Sequence, residues 1–246
     1  MHHCHVDPSI WSDTEILLPA SSEHHLINVL RVSSGEMLSI FDGMGNKAVA
    51  RVAFEKGRRV VLKVVEKSSV PKPVVSFSLL QAIPKGTRMD LIVEKATELG
   101  VNNIYPLITE RVVLRLTDGA KREERRSRWQ RIAINAAEQS GVSWMPEVKP
   151  VSDIEETISI GRNFDVFLVG ALSPDARALR DVMGEVRKNN PATAGLLIGP
   201  EGDLTPLELK LAVDAGAIPV NFGPNVFRVE TAAIFGLSVM AYEMGR

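Results

Sequence analysis

The 246-residue sequence holds one cysteine, few aromatic residues and no long apolar run, and each shortage removes a class of protein. The lone thiol, Cys4, excludes a disulfide framework and any multi-cysteine metal site. The longest mainly apolar stretch, Ala232 to Ala241, contains Gly236 and Ser238 and falls far short of the roughly 20 residues of a membrane span. The first residues, Met1-His2-His3-Cys4-His5-Val6, include no apolar stretch of signal-peptide length, so the expectation is a cytoplasmic protein with no membrane partner. Three histidines around a cysteine raise a metal reading, yet ligands this close in sequence rarely close a site without others from elsewhere. A His-rich first strand or chain end, with no metal, is the plainer expectation. Nucleotide and hydrolase fingerprints are missing as well. No G-x-G-x-x-G follows the first strand of the alternating region, and neither a P-loop nor a G-x-S-x-G elbow occurs.

What is present is a globular composition, 45% hydrophobic and 24% charged, with a net charge of −1. Aromatics at 5% leave the core to Val, Ile, Leu, Ala and Met. The length suits two modest domains or one large one, at roughly 100–200 residues per domain. Val70-Pro71-Lys72-Pro73-Val74-Val75, after the polar Lys67-Ser68-Ser69, reads as a short stiff linker. It separates a first domain, 1–70, from a second, 75–246. The first has β texture: Met37 to Phe41, turn signals at Asp42-Gly43 and Gly45-Asn46, extended residues Ala48 to Phe54, a turn at Gly57, then Val60 to Val65. Ser22 is placed to cap a short helix whose face His25, Leu26, Val29 and Leu30 share. The expectation is a small β-barrel.

The second region alternates strand and helix. Strands are expected at Val75 to Ala82, Asn103 to Ile108, Phe164 to Val169, Leu196 to Ile198 and Pro219 to Phe222. Thr87, with Asp90 as a partial capping box, opens a helix that carries Leu91, Ile92, Ala96 and Leu99 and stops at Gly100. Thr205-Pro206 with Glu208 opens another that stops at Gly216, and a last helix starts near Glu230. Such alternation means an α/β fold with a parallel sheet covered on both faces. Ligands bind such sheets beyond the carboxyl ends of the strands. Three of those ends carry Leu168-Val169-Gly170, Gly199-Pro200-Glu201-Gly202 and Gly223-Pro224-Asn225, where missing Cβ atoms let backbone groups approach a ligand. Arg228, Glu230 and Thr231 follow at the start of an otherwise apolar helix. Glu230 or Thr231 can serve as a helix cap, but a cap needs no guanidinium. Between Glu110 and Arg131, eight bases (Arg111, Arg115, Lys121, Arg122, Arg125, Arg126, Arg128 and Arg131) face four acids. That local excess suits phosphate contacts, or is a solvated helix face.

Ile198-Gly199-Pro200-Glu201-Gly202, Phe222-Gly223-Pro224 and Phe227-Arg228-Val229-Glu230-Thr231-Ala232 resemble the closing motifs of the SPOUT RNA methyltransferases, specifically the RsmE family. Pro84-Lys85-Gly86, Arg88-Met89, Lys95 to Val101, Arg128-Trp129, Ala137 to Gly141 and Pro146-Glu147 fit the same family, as do His24-His25, Val29-Leu30-Arg31 and Gly35. The resemblance implies a PUA-like barrel followed by a SPOUT domain with a C-terminal deep trefoil knot. It implies a homodimer that uses S-adenosylmethionine (SAM) to methylate N3 of a uridine in 16S ribosomal RNA, within the small ribosomal subunit. On this reading Leu168, Val169, Gly170, Ile198, Gly199, Pro200, Gly202, Phe222, Gly223, Phe227 and Thr231 hold SAM. Arg228 stabilises the anion that develops on the uracil, and Glu230 either takes the N3 proton or orients Arg228. RNA contacts are expected from Arg31 on the barrel, with Arg51, Arg58 and Arg59 near it, and from Lys85, Arg88, Arg122, Arg125, Arg126 and Arg128. The sequence departs from the family's pattern at three places: Asp203 replaces a second glycine, Asn225 a basic residue and Val142 an arginine. The Asp203 carboxylate either approaches the cofactor or points to solvent. The lost charges keep open a methyltransferase acting on another RNA or atom. A non-catalytic RNA-binding or ribosome-assembly protein on the same scaffold is the reading from outside the enzymes.

Overall fold

The computed structural model describes residues 1–29, 31–55, 59–112 and 118–245. The chain divides into two compact units. One comprises Met1–Lys72 with Ile134–Met145, and the other takes Pro73–Ala133 and the chain from Pro146 onward. Residues 134–145, which the sequence places in the second domain, therefore pack with the first. Contacts far apart in sequence hold them there: the His5 N–H donates to Glu138 Oε1 at 2.9 Å, and Lys47 Nζ donates to the Gly141 carbonyl at 3.2 Å.

In the first unit, β1 (His3–His5), β2 (Glu15–Leu17), β3 (Met37–Phe41), β4 (Asn46–Phe54) and β5 (Val60–Ser69) form one sheet in the order β1-β3-β4-β5-β2. β1 runs parallel to β3 and the other pairs are antiparallel. Among the described residues the ladder is open at β1 and β2, so the expected barrel is a five-stranded sheet in its hydrogen bonding. Alternate residues of the strands, among them Leu38, Ile40, Ala48, Ala50, Val52 and Leu62, point into one core, as the two-residue period of a strand requires. The β3–β4 turn is built by buried Asp42. Its Oδ1 accepts the N–H groups of Met44 and Asn46 at 2.7 and 3.0 Å, an Asx arrangement that explains why Asp-Gly stands there. Gly45 is needed for a different reason: a Cβ would lie 2.6 Å from the Trp144 ring.

Two local expectations change. The short helix α1 (Ala20–His24) starts before Ser22, whose N–H donates to the Pro19 carbonyl, so Ser22 sits in the first turn and caps nothing. A single π turn, His25–Val29, follows, with Leu26 in the core. β5 runs on through Lys67-Ser68-Ser69, which pair with Ala48, Lys47 and Asn46, and ends at Ser69, where Val70-Pro71-Lys72-Pro73-Val74-Val75 begins. Leu30, Gly57 and Arg58 lie outside the described residues.

Cys4 points into the core of this unit, and burial with Glu138 nearby pushes its thiol up to about 12, so it stays protonated. Among the described residues no three potential ligands come together to hold a metal ion. His3 Nδ1 and His5 Nε2 are buried without hydrogen-bond partners. Burial holds both imidazoles below the usual histidine range. Lys47 and the N-terminal amine add to this at His3, while the Asp42 carbonyl and the charges of Asp7 and Asp42 oppose it at His5. The unfolded chain therefore binds protons that the folded chain refuses. Stability is full above about pH 6.5, the ordinary histidine value, and falls as pH descends from there toward the depressed folded values. The expected result is a lower urea midpoint at about pH 5.5 than at pH 7.5, with the difference reduced in a His3→Asn, His5→Asn double variant. An unchanged difference would assign the effect to other groups.

The second unit runs β6 (Ser76–Ala82), α2 (Arg88–Glu98), β7 (Asn103–Ile108), α3 (Gly119–Ser140, whose last residues count with the first unit), β8 (Glu147–Val148), β9 (Ser152–Asp153) and α4 (Ile154–Ile158). It continues with β10 (Val166–Gly170), β11 (Arg177–Ala178), α5 (Leu179–Val186), β12 (Thr193–Ile198), α6 (Pro206–Asp214), β13 (Ile218–Asn221) and α7 (Val229–Glu243). The sheet order is β11-β13-β10-β12-β6-β7-β8, with β9 also pairing β7, and every pairing is parallel. Both faces are buried. Leu79, Leu168 and Leu196 enter one core cluster, and their chain neighbours Leu80, Val169 and Leu197 enter the other.

Helix boundaries follow their chemistry unevenly. Thr205 caps α6 in a full capping box: its side chain accepts the Glu208 N–H at 3.3 Å, and Glu208 Oε2 accepts the Thr205 N–H at 2.8 Å. Thr87 occupies the N-cap of α2 but its side chain caps nothing, and Asp90 pairs with Arg128 instead of closing a box. Leu91, expected on the buried face of α2, is exposed; Met89, Ile92, Val93 and Ala96 form that face.

Candidate active site

The loops after β10, β12 and β13, with the start of α7, enclose a cavity of about 460 Å³. This volume lies within the range of small-ligand sites, and the position is the one that open parallel sheets use. Gly170, Ile198, Gly199, Pro200, Phe222, Gly223 and Phe227 line it as the resemblance implies, together with Arg228 and Glu230. At Gly170 a Cβ would come within 3.1 Å of Ile198 Cδ1 and of the Phe222 ring, so any larger residue would require those side chains to give by a few tenths of an ångström. The wall itself is Phe222 stacked on Phe227 at 6.3 Å, with Phe235 edge-on to both at 5.8 and 5.3 Å.

Four expected cofactor residues are not on this wall. Leu168 and Val169 are fully buried, because a strand interior covered on both faces turns them into the two cores. Gly202 faces Arg111, whose Nη1 takes the Gly202 carbonyl at 2.6 Å. Thr231 lies exposed in the first turn of α7. Neither Thr231 nor Glu230 caps that helix. Arg228 holds the N-cap position, with no capping bond from its side chain.

Residues not singled out from the sequence complete the wall: Ala171, Leu172, Glu201, Asn225 and Val226 from the loops, Val220 and Asn221 from β13, and Val229 and Ala232 from α7, while Asp203, left by the sequence between cofactor and solvent, lines the cavity. The exposed apolar Leu172 and Val226, inside glycine-rich loops, were the signal available.

Arg88 changes role. Its Nη1 pairs with Glu201 Oε1 at 2.8 Å, and its Nε lies 3.5 Å from Glu230 Oε2, so it faces the cavity between two carboxylates. The Lys85 backbone N–H adds a bond to Glu201 at 2.9 Å. Glu230 therefore leans on Arg88 and not on Arg228. Its Oε2 is buried and has no hydrogen-bond partner. Arg228 is exposed on the cavity wall and forms no ion pair among the described residues. A carboxylate held only by a long contact to Arg88 and a guanidinium without a counter-charge among the described residues thus share one wall.

The other expected phosphate contacts are mostly paired. Arg122 meets Asp153 at 3.4 Å, Arg126 meets Glu123 at 2.6 Å, and Arg128 meets Asp90. Arg125 is half-buried and Arg31 exposed at φ +54°, each without an ion pair among the described residues; Arg115 lies outside them. Exposed pairs of this kind contribute only about 0–1 kcal/mol, so a phosphate can displace a carboxylate at little cost.

SAM carries an adenine, ribose hydroxyls, a sulfonium and an amino-acid end. An aromatic wall, open backbone groups of glycine loops and cavity-facing carboxylates fit those parts. Comparison with known proteins agrees. A family described as an RNA methyltransferase domain matches residues 70–241, and one described as an RNA methyltransferase PUA domain matches residues 24–65. The class is that of the RNA methyltransferases. Ribosomal RNA small subunit methyltransferase E of Synechocystis is 32% identical, over 95% of this chain and 75% of its own, and that of Bacillus subtilis 28% identical, over 89% and 87%. A putative methyltransferase from Legionella pneumophila, solved with SAM, superposes with a TM-score of 0.86 at 30% identity, covering 98% of this chain and 96% of its own. Ribosomal RNA small subunit methyltransferase E from Neisseria gonorrhoeae, also bound to SAM, gives 0.83 at 29%, over 98% and 97%. The chain belongs to the ribosomal RNA small subunit methyltransferase E family.

Proposed function

We propose that the protein methylates N3 of a uridine in 16S ribosomal RNA of the small ribosomal subunit, with SAM held in the cavity beyond β10, β12 and β13. The observation that carries this reading is the placing, on one cavity wall, of Arg228, which forms no ion pair among the described residues, beside the Glu230 carboxylate. SAM, when bound, supplies an electrophilic methyl group on a sulfonium. The chain's residues have two tasks. Uracil N3 bears a proton that must leave as the new N–CH3 bond forms, and the Glu230 carboxylate on the cavity wall takes it and later yields it to solvent. Negative charge developing on the carbonyl oxygens beside N3 is met by Arg228, which has no competing partner to leave. Arg88 holds the Glu230 carboxylate from behind through a charge-assisted contact. The protein works in the cytoplasm, and Arg31, Lys85, Arg125 and the exchangeable pairs of α3 supply phosphate contacts.

A homodimer fits α7. That helix is apolar nearly all round, yet Phe235 is 38% and Tyr242 83% exposed, and Leu91 of the adjacent α2 is exposed too. An apolar helix of this kind needs cover, and a second copy provides it. Light scattering should give twice the chain mass, and Phe235→Asp should halve it; a monomeric wild type would overturn the assignment.

The reaction is tested with labelled SAM and small subunits lacking base methylation, followed by nucleoside analysis. Label in 3-methyluridine is the expected result. Label in another nucleoside would redirect the target, an alternative that the neutral Asn225 on the wall and Val142 in the first unit keep open. No SAM binding would leave the scaffold reading.

A further inference from the structure

Five ionisable side chains line the cavity: Arg88, Glu201, Asp203, Arg228 and Glu230. Arg88 is shared between Glu201 and Glu230. Asp203 is served differently. Its Oδ1 accepts the Leu204 N–H at 2.8 Å and its Oδ2 the Leu172 N–H at 3.3 Å, both neutral donors, and it forms no ion pair among the described residues. The Leu172 bond ties the loop after β10 to the loop after β12. Arg111 fixes the same turn from outside by taking the carbonyls on either side of Asp203, Gly202 at 2.6 Å and Leu204 at 3.4 Å. The backbone of Asp203 sits at φ +61°, a region that L side chains rarely adopt and that Asp and Asn tolerate best. A charged residue is thus kept at a strained position, rigidly aimed, on the wall of a pocket for a cationic ligand.

We propose that Asp203 selects charge: its fixed, uncompensated carboxylate favours SAM, which bears a net positive charge at neutral pH, over the neutral demethylated product S-adenosylhomocysteine. Once methyl transfer has removed the sulfonium charge, Asp203 no longer attracts what remains, and the product is released in favour of fresh SAM. A carboxylate several ångströms from a unit charge in a half-open cavity changes affinity by about fivefold. The proposal rests on the assignment of this cavity to the cofactor, and the experiment separates the two.

Calorimetric titration of SAM and of S-adenosylhomocysteine is made on wild type, Asp203→Asn, Asp203→Gly and Phe227→Ala. Both Asp203 variants should lower the ratio of SAM affinity to product affinity by about fivefold, chiefly by weakening SAM. Glycine also relaxes the left-handed backbone, so the test survives if the asparagine variant fails to fold. Phe227→Ala should weaken both ligands alike and leave the ratio unchanged. An unchanged ratio in the Asp203 variants, with Phe227→Ala weakening both ligands, would overturn charge selection alone. No effect of Phe227→Ala on either ligand would overturn the pocket assignment and the proposal together.

Discussion

Arg228→Ala is expected to slow methyl transfer by about 10²–10³-fold while changing SAM affinity by less than about threefold. The guanidinium caps no helix, pairs with no carboxylate among the described residues and stands exposed on the cavity wall. Its removal therefore leaves no buried partner stranded, so folding should be untouched. What is lost is a positive charge placed where uracil carbonyl oxygens gain negative charge, an interaction stronger in the transition state than in the ground state. Such a loss appears in kcat, with little change in KM. Arg228→Lys should recover part of the rate, since a point charge remains but the planar fork does not. Single-turnover transfer to undermethylated small subunits, with SAM binding measured in parallel, decides the matter. Equal losses in binding and in transfer would make Arg228 a cofactor residue.

Glu230→Gln is expected to cost about 10²-fold or more in kcat. The amide keeps the shape of the side chain and its place in the first turn of α7, but cannot accept a proton. Arg88 separates this role from orientation. Because Arg88 touches Glu230 at 3.5 Å and Glu201 at 2.8 Å, Arg88→Met should release both carboxylates and lower kcat by less than the Glu230→Gln change does. If Glu230 only oriented its neighbours, glutamine, which keeps its shape and an accepting oxygen, would leave kcat within about threefold of wild type.

Local signals carried much of the site and almost none of its wiring. The three glycine-rich strand ends were legible because each combines an apolar run with residues that tolerate close approach, and all three border the cavity. Arg228 and Glu230 stood out as charges at the start of an apolar helix, and both line it. Leu168 and Val169 were drawn in by proximity to Gly170, yet a strand's alternation commits them to opposite cores. Arg88 read as a phosphate contact because its partner Glu201 lies 113 residues away, and nothing in the local pattern of either residue announces the other. The paired state of Arg122, Arg126 and Arg128 shows the same gap between a count of charges and their arrangement.

The sequence by itself determined the class of the elements with strong local signals, because helix and strand periods, capping residues such as Thr205 with Glu208, and turn residues such as Asp42-Gly43 act over a few neighbours. It also determined that the second unit is a doubly covered parallel sheet, since consecutive apolar residues such as Leu196-Leu197 need burial on both faces. Only the tertiary structure decided that β12 lies between β10 and β6, that residues 134–145 pack with the first unit, and that Arg88 and Asp203 line the same cavity. Those outcomes depend on distances between segments tens of residues apart. Many pairings satisfy the same local pattern there, and the packing of the whole chain selects one.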